Sequence, residues 1–426
     1  MQHLPSVALL LSTLVFAAEV PAQDGQFAGK ISASDFPWWR GQTRDGHANA
    51  DQKPPLRWSA TENVLWRVPI PGRGHGSATV LGDQVFITAA DLESDAQYVI
   101  CIDRNTGDQK WRKAVHTGGL KTKGNRKQNK KASLASTTIA IDGDRLYVNF
   151  LNNEAVWTSA LSLDGKIVWQ KEITKYVVHQ GFGSSPAIYQ DLLIVSADNK
   201  GGGAVVALNR SSGDEVWRHK RPKKPNYSSP VILNAAGKEQ LIMIGCDLVT
   251  SLDPATGNKN WEFPGATTEC VISTVTDGKN IFTSGGYPKN HISAVAADGS
   301  GKLVWENKSR AYVPSFLLHD GHLYAVLDAG IAVCFDVADG SEVWKKRLGG
   351  TFSSSPVMVG DNVYATNEEG ETFIFKAKHD GYKSVAKNKL GENVFSTMTI
   401  CGSRIYTRVA ITEGGKRKEY LYCIGK

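Results

Sequence analysis

The residues that could do chemistry in this sequence are scattered, and none has the spacing of a catalytic or metal-binding motif. His75 and His179 have no histidine four residues away, and no H-E-x-x-H pattern occurs. No G-x-S-x-G, Walker A or G-x-G-x-x-G pattern lies between a strand and a helix, because the chain has scarcely any helical periodicity. We therefore predict no catalytic residue, no metal site and no resident cofactor.

The six cysteines give no redox or zinc motif either. None are adjacent and no C-x-x-C pair occurs, and several lie inside apolar runs; they are Cys101, Cys246, Cys270, Cys334, Cys401 and Cys423. A free cysteine in such a run behaves as a small buried hydrophobe. We expect free thiols in the core, although an oxidising compartment would also permit a disulfide.

Positive charge is the most concentrated chemical signal in the chain. Lys and Arg number 49 against 42 Asp and Glu, which gives a formal net charge of +7. Two runs carry much of the excess, one at Lys121, Lys123, Arg126, Lys127, Lys130 and Lys131, and one at Lys220, Arg221, Lys223 and Lys224. Such runs favour an acidic protein, an anionic glycan or an envelope surface as partner, against the alternative of a merely solvated face. Stacking aromatics are missing between these charges, so we expect no nucleic acid.

A repeat of about 40 to 58 residues must position these groups. Seven tryptophans, Trp66, Trp111, Trp169, Trp217, Trp261, Trp305 and Trp344, are separated by 45, 58, 48, 44, 44 and 39 residues. A glycine stands four residues before each of the last six, and a further Gly381 has Val385 in place of the tryptophan. Repeats of this period are the signature of a solenoid or a propeller.

A second marker recurs 30 to 34 residues before each tryptophan position and opens an apolar strand. The series is Ser77, Ser136, Ser185, Ser229, Ser273, Pro314, Ser355 and Ser396. Each unit reads as four short strands joined by Gly/Asp turns, which is the pattern of a propeller blade. The sequence therefore predicts an all-β protein, an eight-bladed β-propeller of four-stranded antiparallel blades.

The chain ends before the eighth unit has a fourth strand. The segment 63–67 around Trp66 can supply that strand from the N-terminus, and Glu62 stands where the other units have the hairpin glycine. A strand from the far end of the chain needs no hairpin, so we predict that this segment closes the ring and covers an exposed sheet edge.

The N-terminal region divides into two further parts. Residues 7–18 are almost wholly apolar, too short to span a bilayer, and are followed by small residues ending at Ala22. We predict a signal peptide at 1–22, an extended arm over the body at 23–62 and a single propeller at 63–426. The mature protein is then expected to be exported to the periplasm or secreted, not transmembrane, and monomeric.

The starts of the inner strands are predicted to line the central funnel, on the face that carries the basic loops. A ring of aromatics with a few charges suits a small ligand or a peptide tip, although aromatics can also simply fill a wide channel. The candidates are Arg73, His75, His179, Phe182, Asn226, Tyr227, Glu269, Arg310, Tyr312, Phe352, Glu392 and Asn393.

The repeated motif, seen as Leu252-Asp253 before Gly257 and Trp261, resembles the tryptophan-docking motif of the pyrroloquinoline quinone (PQQ)-like propellers. The resemblance covers almost all of the chain and implies that each tryptophan docks on a neighbouring blade. One branch of that family is the non-enzymatic BamB-like assembly factors, often lipoproteins, whereas this chain has no lipobox cysteine. The other branch is the quinoprotein dehydrogenases, which bind PQQ and calcium and typically carry a Cys-Cys disulfide that this sequence lacks.

The leading hypothesis is an exported, non-catalytic binding propeller that uses its basic face and central funnel. The alternative is a dehydrogenase that oxidises alcohols or sugars with PQQ and calcium in the same funnel, which would require calcium ligands gathered from several blades.

Overall fold

The computed structural model describes residues 30–426, so the predicted signal peptide at 1–22 lies outside the described residues. The fold is all-β and confirms the prediction of an eight-bladed propeller. Within 30–426 the helical structure is a single 3-10 turn, Asn125–Lys127. None of these residues forms a helix long and apolar enough to cross a membrane.

The strands are numbered in chain order, beginning with β1 (His47–Ala48) and β2 (Val64–Ile70), and seven blades are formed by consecutive strands. Blade 1 is β3 (Thr79–Leu81), β4 (Gln84–Asp91), β5 (Ala96–Asp103) and β6 (Gln109–Thr117); blade 2 is β7 (Ala140–Ile141), β8 (Arg145–Asn152), β9 (Ala155–Ser162) and β10 (Ile167–Lys175). Blade 3 is β11 (Ala187–Tyr189), β12 (Leu192–Ser196), β13 (Gly203–Asn209) and β14 (Glu215–Arg221); blade 4 is β15 (Val231–Ala235), β16 (Lys238–Gly245), β17 (Leu248–Leu252) and β18 (Lys259–Pro264). Blade 5 is β19 (Val275–Thr276), β20 (Asn280–Gly285), β21 (His291–Ala296) and β22 (Leu303–Asn307); blade 6 is β23 (Leu317–His319), β24 (His322–Leu327), β25 (Ile331–Asp336) and β26 (Glu342–Arg347). Blade 7 is β27 (Val357–Val359), β28 (Asn362–Thr366), β29 (Glu371–Lys376) and β30 (Lys383–Lys389).

Blade 8 shows the predicted closure. It contains β31 (Thr399–Cys401), β32 (Arg404–Glu413) and β33 (Lys416–Ile424), and its outer strand is β2 from the other end of the described chain. β2 runs antiparallel to β33, with Arg67 opposite Tyr422 and Val68 opposite Leu421. The two ends therefore share one sheet, and the β33 edge is paired rather than open.

The repeated tryptophans lie at the seams between blades. Trp66 packs on Gly107 of blade 1, where an added Cβ would stand 2.8 Å from the indole Cγ, and φ at that glycine is +81°. The Trp66 indole N–H donates to the carbonyl of Arg104 over 3.0 Å. Five others donate to a turn carbonyl of the next blade in the same way: Trp111 to Leu163, Trp169 to Arg210, Trp217 to Pro254, Trp305 to Val337 and Trp344 to Lys378.

A ring of hydroxyl groups links neighbouring inner strands. The backbone N–H of one strand donates to a Ser or Thr oxygen of the next over 2.9 to 3.1 Å, in the pairs Ser77 to Thr138, Thr138 to Ser185, Ser185 to Ser229, Ser273 to Ser315, Ser315 to Ser355 and Ser355 to Thr397. At five of these positions the bridging residue belongs to the marker series, and at the other three Thr138, Ser315 and Thr397, one or two residues after Ser136, Pro314 and Ser396, form the bridges.

The N-terminal arm does not simply lie over the body. We call the face with the β3–β4 and equivalent inner hairpins the lower face, and the face with the connections between blades the upper face. The arm passes into the lower end of the central channel, where Phe36 bridges Val80 of blade 1 and β1 pairs in parallel with β27 of blade 7. Blade 7 thereby becomes a five-stranded sheet.

The arm also supplies an aromatic side chain where the repeat lacks one. Trp58 is buried among residues of blades 7 and 8, in the cluster that includes Val385, the residue in the tryptophan position of blade 7. Asn388 fixes this segment by accepting from the Trp58 N–H and donating to the Leu56 carbonyl, both over 3.0 Å.

All six cysteines are free and buried, as expected from their apolar neighbours.

Candidate binding site at the upper end of the channel

The upper end of the channel is an open cavity of about 800 Å³. Its floor is Trp39 of the arm, whose indole N–H donates to Ser273 Oγ over 2.8 Å. The wall above the hydroxyl ring is largely aromatic, with Phe182, Tyr227, Tyr312, Phe352 and Phe395. A concave apolar surface with a few polar groups is the usual form of a ligand site.

The structure brings half of the predicted funnel residues to this cavity. Six line it: His75, Phe182, Tyr227, Arg310, Tyr312 and Phe352. The other six, Arg73, His179, Asn226, Glu269, Glu392 and Asn393, lie outside its lining. Asn226 is buried, and Asn393 and Glu392 hold the β32 end of blade 8 through Ala410 and Thr412.

Sequence reasoning missed four lining residues with chemical character: Trp39, Asp328, Glu368 and Phe395. Phe395 directly precedes Ser396 of the marker series, so the repeat itself could have indicated it. Asp328 and Glu368 occupy the upper loops of blades 6 and 7, which differ between repeats. Nothing in the repeat points to Trp39, because it belongs to the arm.

Glu269 organises one wall from behind the cavity surface. Its side chain is only 3% exposed and accepts from the Tyr312 hydroxyl over 3.0 Å and from His179 Nε2 at 3.1 Å. Burial, reinforced by the Glu269 charge, raises the pKa of Tyr312 and of Tyr227 well above the ordinary value of a phenol. Both phenols therefore stay protonated at neutral pH and act as fixed donors or apolar surface.

The two carboxyl groups on the cavity wall also have partners in the chain. Glu368 receives Lys131 Nζ at 2.7 Å and the Ser353 hydroxyl at 2.6 Å. Asp328 accepts the backbone N–H of Tyr312 over 2.7 Å, and burial raises its pKa above the ordinary value. The cavity thus presents carboxylates that are already engaged.

The two basic runs lie on the upper face, one between β6 and β7 and one at the end of β14, and Lys131 of the first run lines the cavity. Lys121, Lys123, Arg126, Lys127 and Lys130, in the β6–β7 connection, are exposed, and none of them forms an ion pair with a carboxylate of residues 30–426. In the second run, Lys220 and Lys223 are likewise exposed and unpaired within the described chain, whereas Lys224 pairs with Asp247.

The prediction that Arg221 belongs to the basic surface was wrong. Its side chain is 1% exposed, pairs with Asp198 at 3.3 Å and donates to Thr250 Oγ1 over 2.8 Å. Arg221 ends β14, where the alternation of the strand turns it toward the core while Lys220 points outward. The Arg221 side chain therefore links blades 3 and 4 through its ion pair with Asp198 and its hydrogen bond to Thr250.

Metal ligands are not assembled in this region. Across residues 30–426 no group of three or more His, Cys, Asp or Glu side chains could hold a metal ion. Calcium needs six to eight oxygen ligands, and the cavity carboxylates are bound by lysine, serine and backbone donors instead.

Comparison with known proteins identifies the relatives of this architecture. A family model described as "Outer membrane protein assembly factor BamB" matches residues 56–175, 95–346 and 288–384. A protein of that description from Burkholderia pseudomallei (strain K96243) is 24% identical over 357 residues, covering 77% of this chain and 82% of its own length. A "Polyvinylalcohol dehydrogenase" from Pseudomonas sp is 28% identical over 269 residues, 57% of this chain and 38% of its own length.

A solved structure, "Europium-containing methanol dehydrogenase", aligns with a TM-score of 0.66 at 11% identity. The alignment covers 95% of this chain and 100% of that one, and it shows a shared fold.

Proposed function

We propose that this chain, which belongs to the PQQ-repeat family described as outer membrane protein assembly factor BamB, is a non-catalytic propeller that binds an acidic protein partner. The observation that carries the proposal is the aromatic cavity of about 800 Å³ at the upper end of the channel, with unpaired lysines on two connections of the same face. A cavity supplies apolar contact area for an inserted tip, and the surrounding charge attracts an acidic partner and orients it.

The charge of the rim supports an acidic partner over a neutral one. Lys121, Lys123, Lys127 and Lys130 lie on one connection, and Lys220 and Lys223 lie on another on the same face. Exposed like charges repel one another, and an acidic surface relieves that repulsion at ordinary salt over distances of roughly 8–10 Å.

The donor set supports binding without redox chemistry. Calcium would need six to eight oxygen ligands, whereas Glu269, Asp328 and Glu368 each accept hydrogen bonds from the chain itself, and no three or more His, Cys, Asp or Glu side chains of residues 30–426 could hold a metal ion together. These residues therefore do not fit a calcium site.

Export is part of the proposal. The apolar run at 7–18 and the small residues up to Ala22 are those of a secretory signal. The relatives whose description names the outer membrane place comparable propellers in an envelope setting.

The first experiment reverses the charge of the rim. A variant with Lys127, Lys130, Lys220 and Lys223 changed to Glu is expected to lose partner capture in pull-downs from the native envelope, with an unchanged melting temperature. The matched control changes four exposed lysines of the lower-face turns, Lys166, Lys238, Lys279 and Lys302, and should retain capture. Equal capture by both variants would mean that the rim is only solvated. Capture that is abolished by glycan-degrading treatment would assign the rim to an anionic glycan instead.

A second experiment separates binding from dehydrogenation. The purified chain is incubated with PQQ and Ca²⁺, desalted, and assayed for quinone absorbance and for dye reduction with alcohols and aldose sugars. We expect neither. Retained absorbance together with turnover would establish the dehydrogenase alternative.

A further inference from the structure

The seam between blades 8 and 1 holds three arginines near one buried carboxylate: Arg408 is buried, Arg73 is half-buried and Arg417 is partly exposed. Three guanidinium groups, Arg73, Arg408 and Arg417, gather around a single carboxylate, Glu419. Glu419 is buried, pairs with Arg408 and Arg417, and also accepts the backbone N–H of Gly74 over 3.1 Å. Both oxygens of Glu419 therefore already accept hydrogen bonds from groups other than Arg73.

Arg73 and His75 each have a buried nitrogen without a hydrogen-bond partner among residues 30–426. Arg73 donates from one guanidinium nitrogen to the Lys130 carbonyl over 3.0 Å, but its Nε is buried and has no hydrogen-bond partner among residues 30–426. His75 Nε2 is likewise buried without a partner in the described chain, and His75 borders the cavity. Polar atoms removed from water without a partner are costly, so they commonly mark a missing ligand.

Phe395 joins these two groups to the cavity wall. The His75 ring packs on Phe395 with centroids 4.6 Å apart, and the Arg73 guanidinium carbon lies 5.8 Å from the same ring centre. Phe395 itself lines the cavity. An apolar group in the cavity would therefore lie next to the arginine and the imidazole.

The charge at this seam disfavours any further cation. Burial, together with the charges of Arg73, Arg408 and Arg417, lowers the pKa of His75 well below the ordinary value for histidine. Burial and the neighbouring Arg417 lower the pKa of Arg73 as well. An anion would reverse the sign of the local interaction for both groups.

Another buried guanidinium shows what an enclosed site looks like. Arg40, which belongs to the arm at the lower end, also has an Nε without a partner in the described chain, but it is 2% exposed and its other nitrogens donate to three backbone carbonyls. Arg73 is half-buried, and its guanidinium carbon lies 5.8 Å from the ring of Phe395, which lines the cavity.

We infer that Arg73 and His75 form an oxyanion subsite that takes the carboxylate of an acidic peptide segment, with the adjacent apolar side chain of the peptide on Phe395. This inference rests on the proposed function, because it specifies which part of an acidic partner enters the cavity. Arginine suits the role, since its planar fork matches a carboxylate and its hydrogen bonds to one are charge-assisted. Arg417 adds attraction from the rim, where its side chain is partly exposed.

The test uses two peptides that differ only in charge, acetyl-Asp-Phe-amide and acetyl-Asn-Phe-amide, titrated into the full chain by calorimetry. A charged hydrogen bond contributes about 1.5–3 kcal/mol, so the Asp peptide is expected to bind at least about tenfold more tightly. In Arg73→Gln this preference should disappear while the Asn peptide keeps its affinity, which also shows that the variant is folded. The matched control Arg112→Gln, on the outer strand of blade 1, should keep the preference.

Nuclear magnetic resonance of the His75 ring supplies a readout that general charge attraction would not move. Saturation with the Asp peptide should shift the titration midpoint of His75 upward, and the Asn peptide should not. Inorganic phosphate is a third arm: if it shifts His75 as the Asp peptide does, the subsite recognises oxyanions in general.

The possible failures are distinguishable. Equal affinity of the two peptides for the native chain would overturn the subsite and leave the cavity as a binding site. A preference lost in Arg310→Gln but kept in Arg73→Gln would move the anion to the opposite rim and also overturn the assignment. No binding of either peptide would overturn the subsite, and an additional failure of rim charge reversal to affect partner capture would remove the proposed function itself.

Discussion

The two ends of the central channel are built on the same eight inner strands, yet the chain fills one end and leaves the other open. At the lower end, Arg40 of the arm donates to the main-chain carbonyls of Asp45, Phe316 and Pro356. At the upper end, the space above Trp39 remains empty of protein. The arm therefore fills the lower end, whereas at the upper end a buried polar atom, His75 Nε2, has no hydrogen-bond partner among residues 30–426.

The two ends also differ in how many hydrogen-bond acceptors surround their arginine side chains. Burial lowers the pKa of Arg40 to about 10 against the attraction of Asp45, so the group still carries its charge at neutral pH, and three backbone carbonyls accept its hydrogen bonds. Among residues 30–426, the Arg73 guanidinium at the upper end donates to one backbone carbonyl, that of Lys130. A buried arginine with several acceptors holds structure together, whereas one with few acceptors is available for recognition.

The largest expected effect comes from breaking the ring on which both ends depend. Deletion of residues 63–70 removes β2, the Trp66 seam and the partner of β33. Loss of a large buried aromatic alone costs about 3–5 kcal/mol, against a typical net stability of about 5–15 kcal/mol. We expect no cooperative transition in urea denaturation followed by circular dichroism.

The control for this deletion lies in the same strand. Leu65 is 42% exposed and points to solvent, so Leu65→Ser should unfold with the native midpoint. If the deletion variant also unfolds cooperatively at the native urea concentration, β2 does not close the ring.

The second-largest expected effect is a difference in stability between arginine variants at the two ends of the channel. Arg40→Ala leaves buried carbonyls at the lower end without donors, each at about 1–3 kcal/mol, so we expect a loss of about 3 kcal/mol in the free energy of unfolding. Arg310→Ala on the exposed upper rim should change it by less than about 0.5 kcal/mol. Urea denaturation of both variants measures the difference, and equal losses would mean that the arm is not what completes the lower end.

The repeat made the blades and their closure predictable, because turn glycines and tryptophans recur with a local period and each blade contacts its neighbours through the same seam. The position of the arm was not predictable in this way. Phe36, Trp39 and Arg40 reach blades 1, 5, 6 and 7 through contacts more than 40 residues away in sequence, and no periodicity encodes such contacts. Trp58 similarly compensates for Val385 from the opposite end of the sequence.

Half of the predicted funnel residues line the cavity, because the repeat determines some of their positions but not others. Phe182, Tyr227 and Phe352 follow from the register of the inner strands, which the repeat fixes. Arg221 shows the limit, since a run of charges does not reveal which member a strand turns inward to meet Asp198. Glu269 lies one layer behind the wall because Tyr312 of a later blade covers it, a relation between blades that the sequence of one blade does not contain.

The smallest expected effect is the pH dependence of stability that His75 causes at the upper end. His75 has a pKa well below the ordinary 6.5, because burial and the charges of Arg73, Arg408 and Arg417 oppose its protonation. As the pH falls below about 6.5, His75 is protonated in the unfolded chain but stays neutral in the folded chain. The free energy of unfolding therefore decreases progressively from that pH down toward the folded pKa of His75. At pH 7 His75 is mostly neutral in both the folded and the unfolded chain, so it costs almost no stability at that pH.

His75→Gln removes this group, so the loss of stability between pH 7 and pH 5 should be about 1 kcal/mol smaller in the variant than in the native chain. Urea denaturation at the two pH values measures both losses, and the comparison at pH 7 controls for any packing effect of the substitution. Parallel losses in the two proteins would mean that neither burial nor the arginines lower the pKa of His75. The seam of blades 8 and 1 would then be as well compensated as the lower end, and the contrast between the two ends would reduce to shape alone.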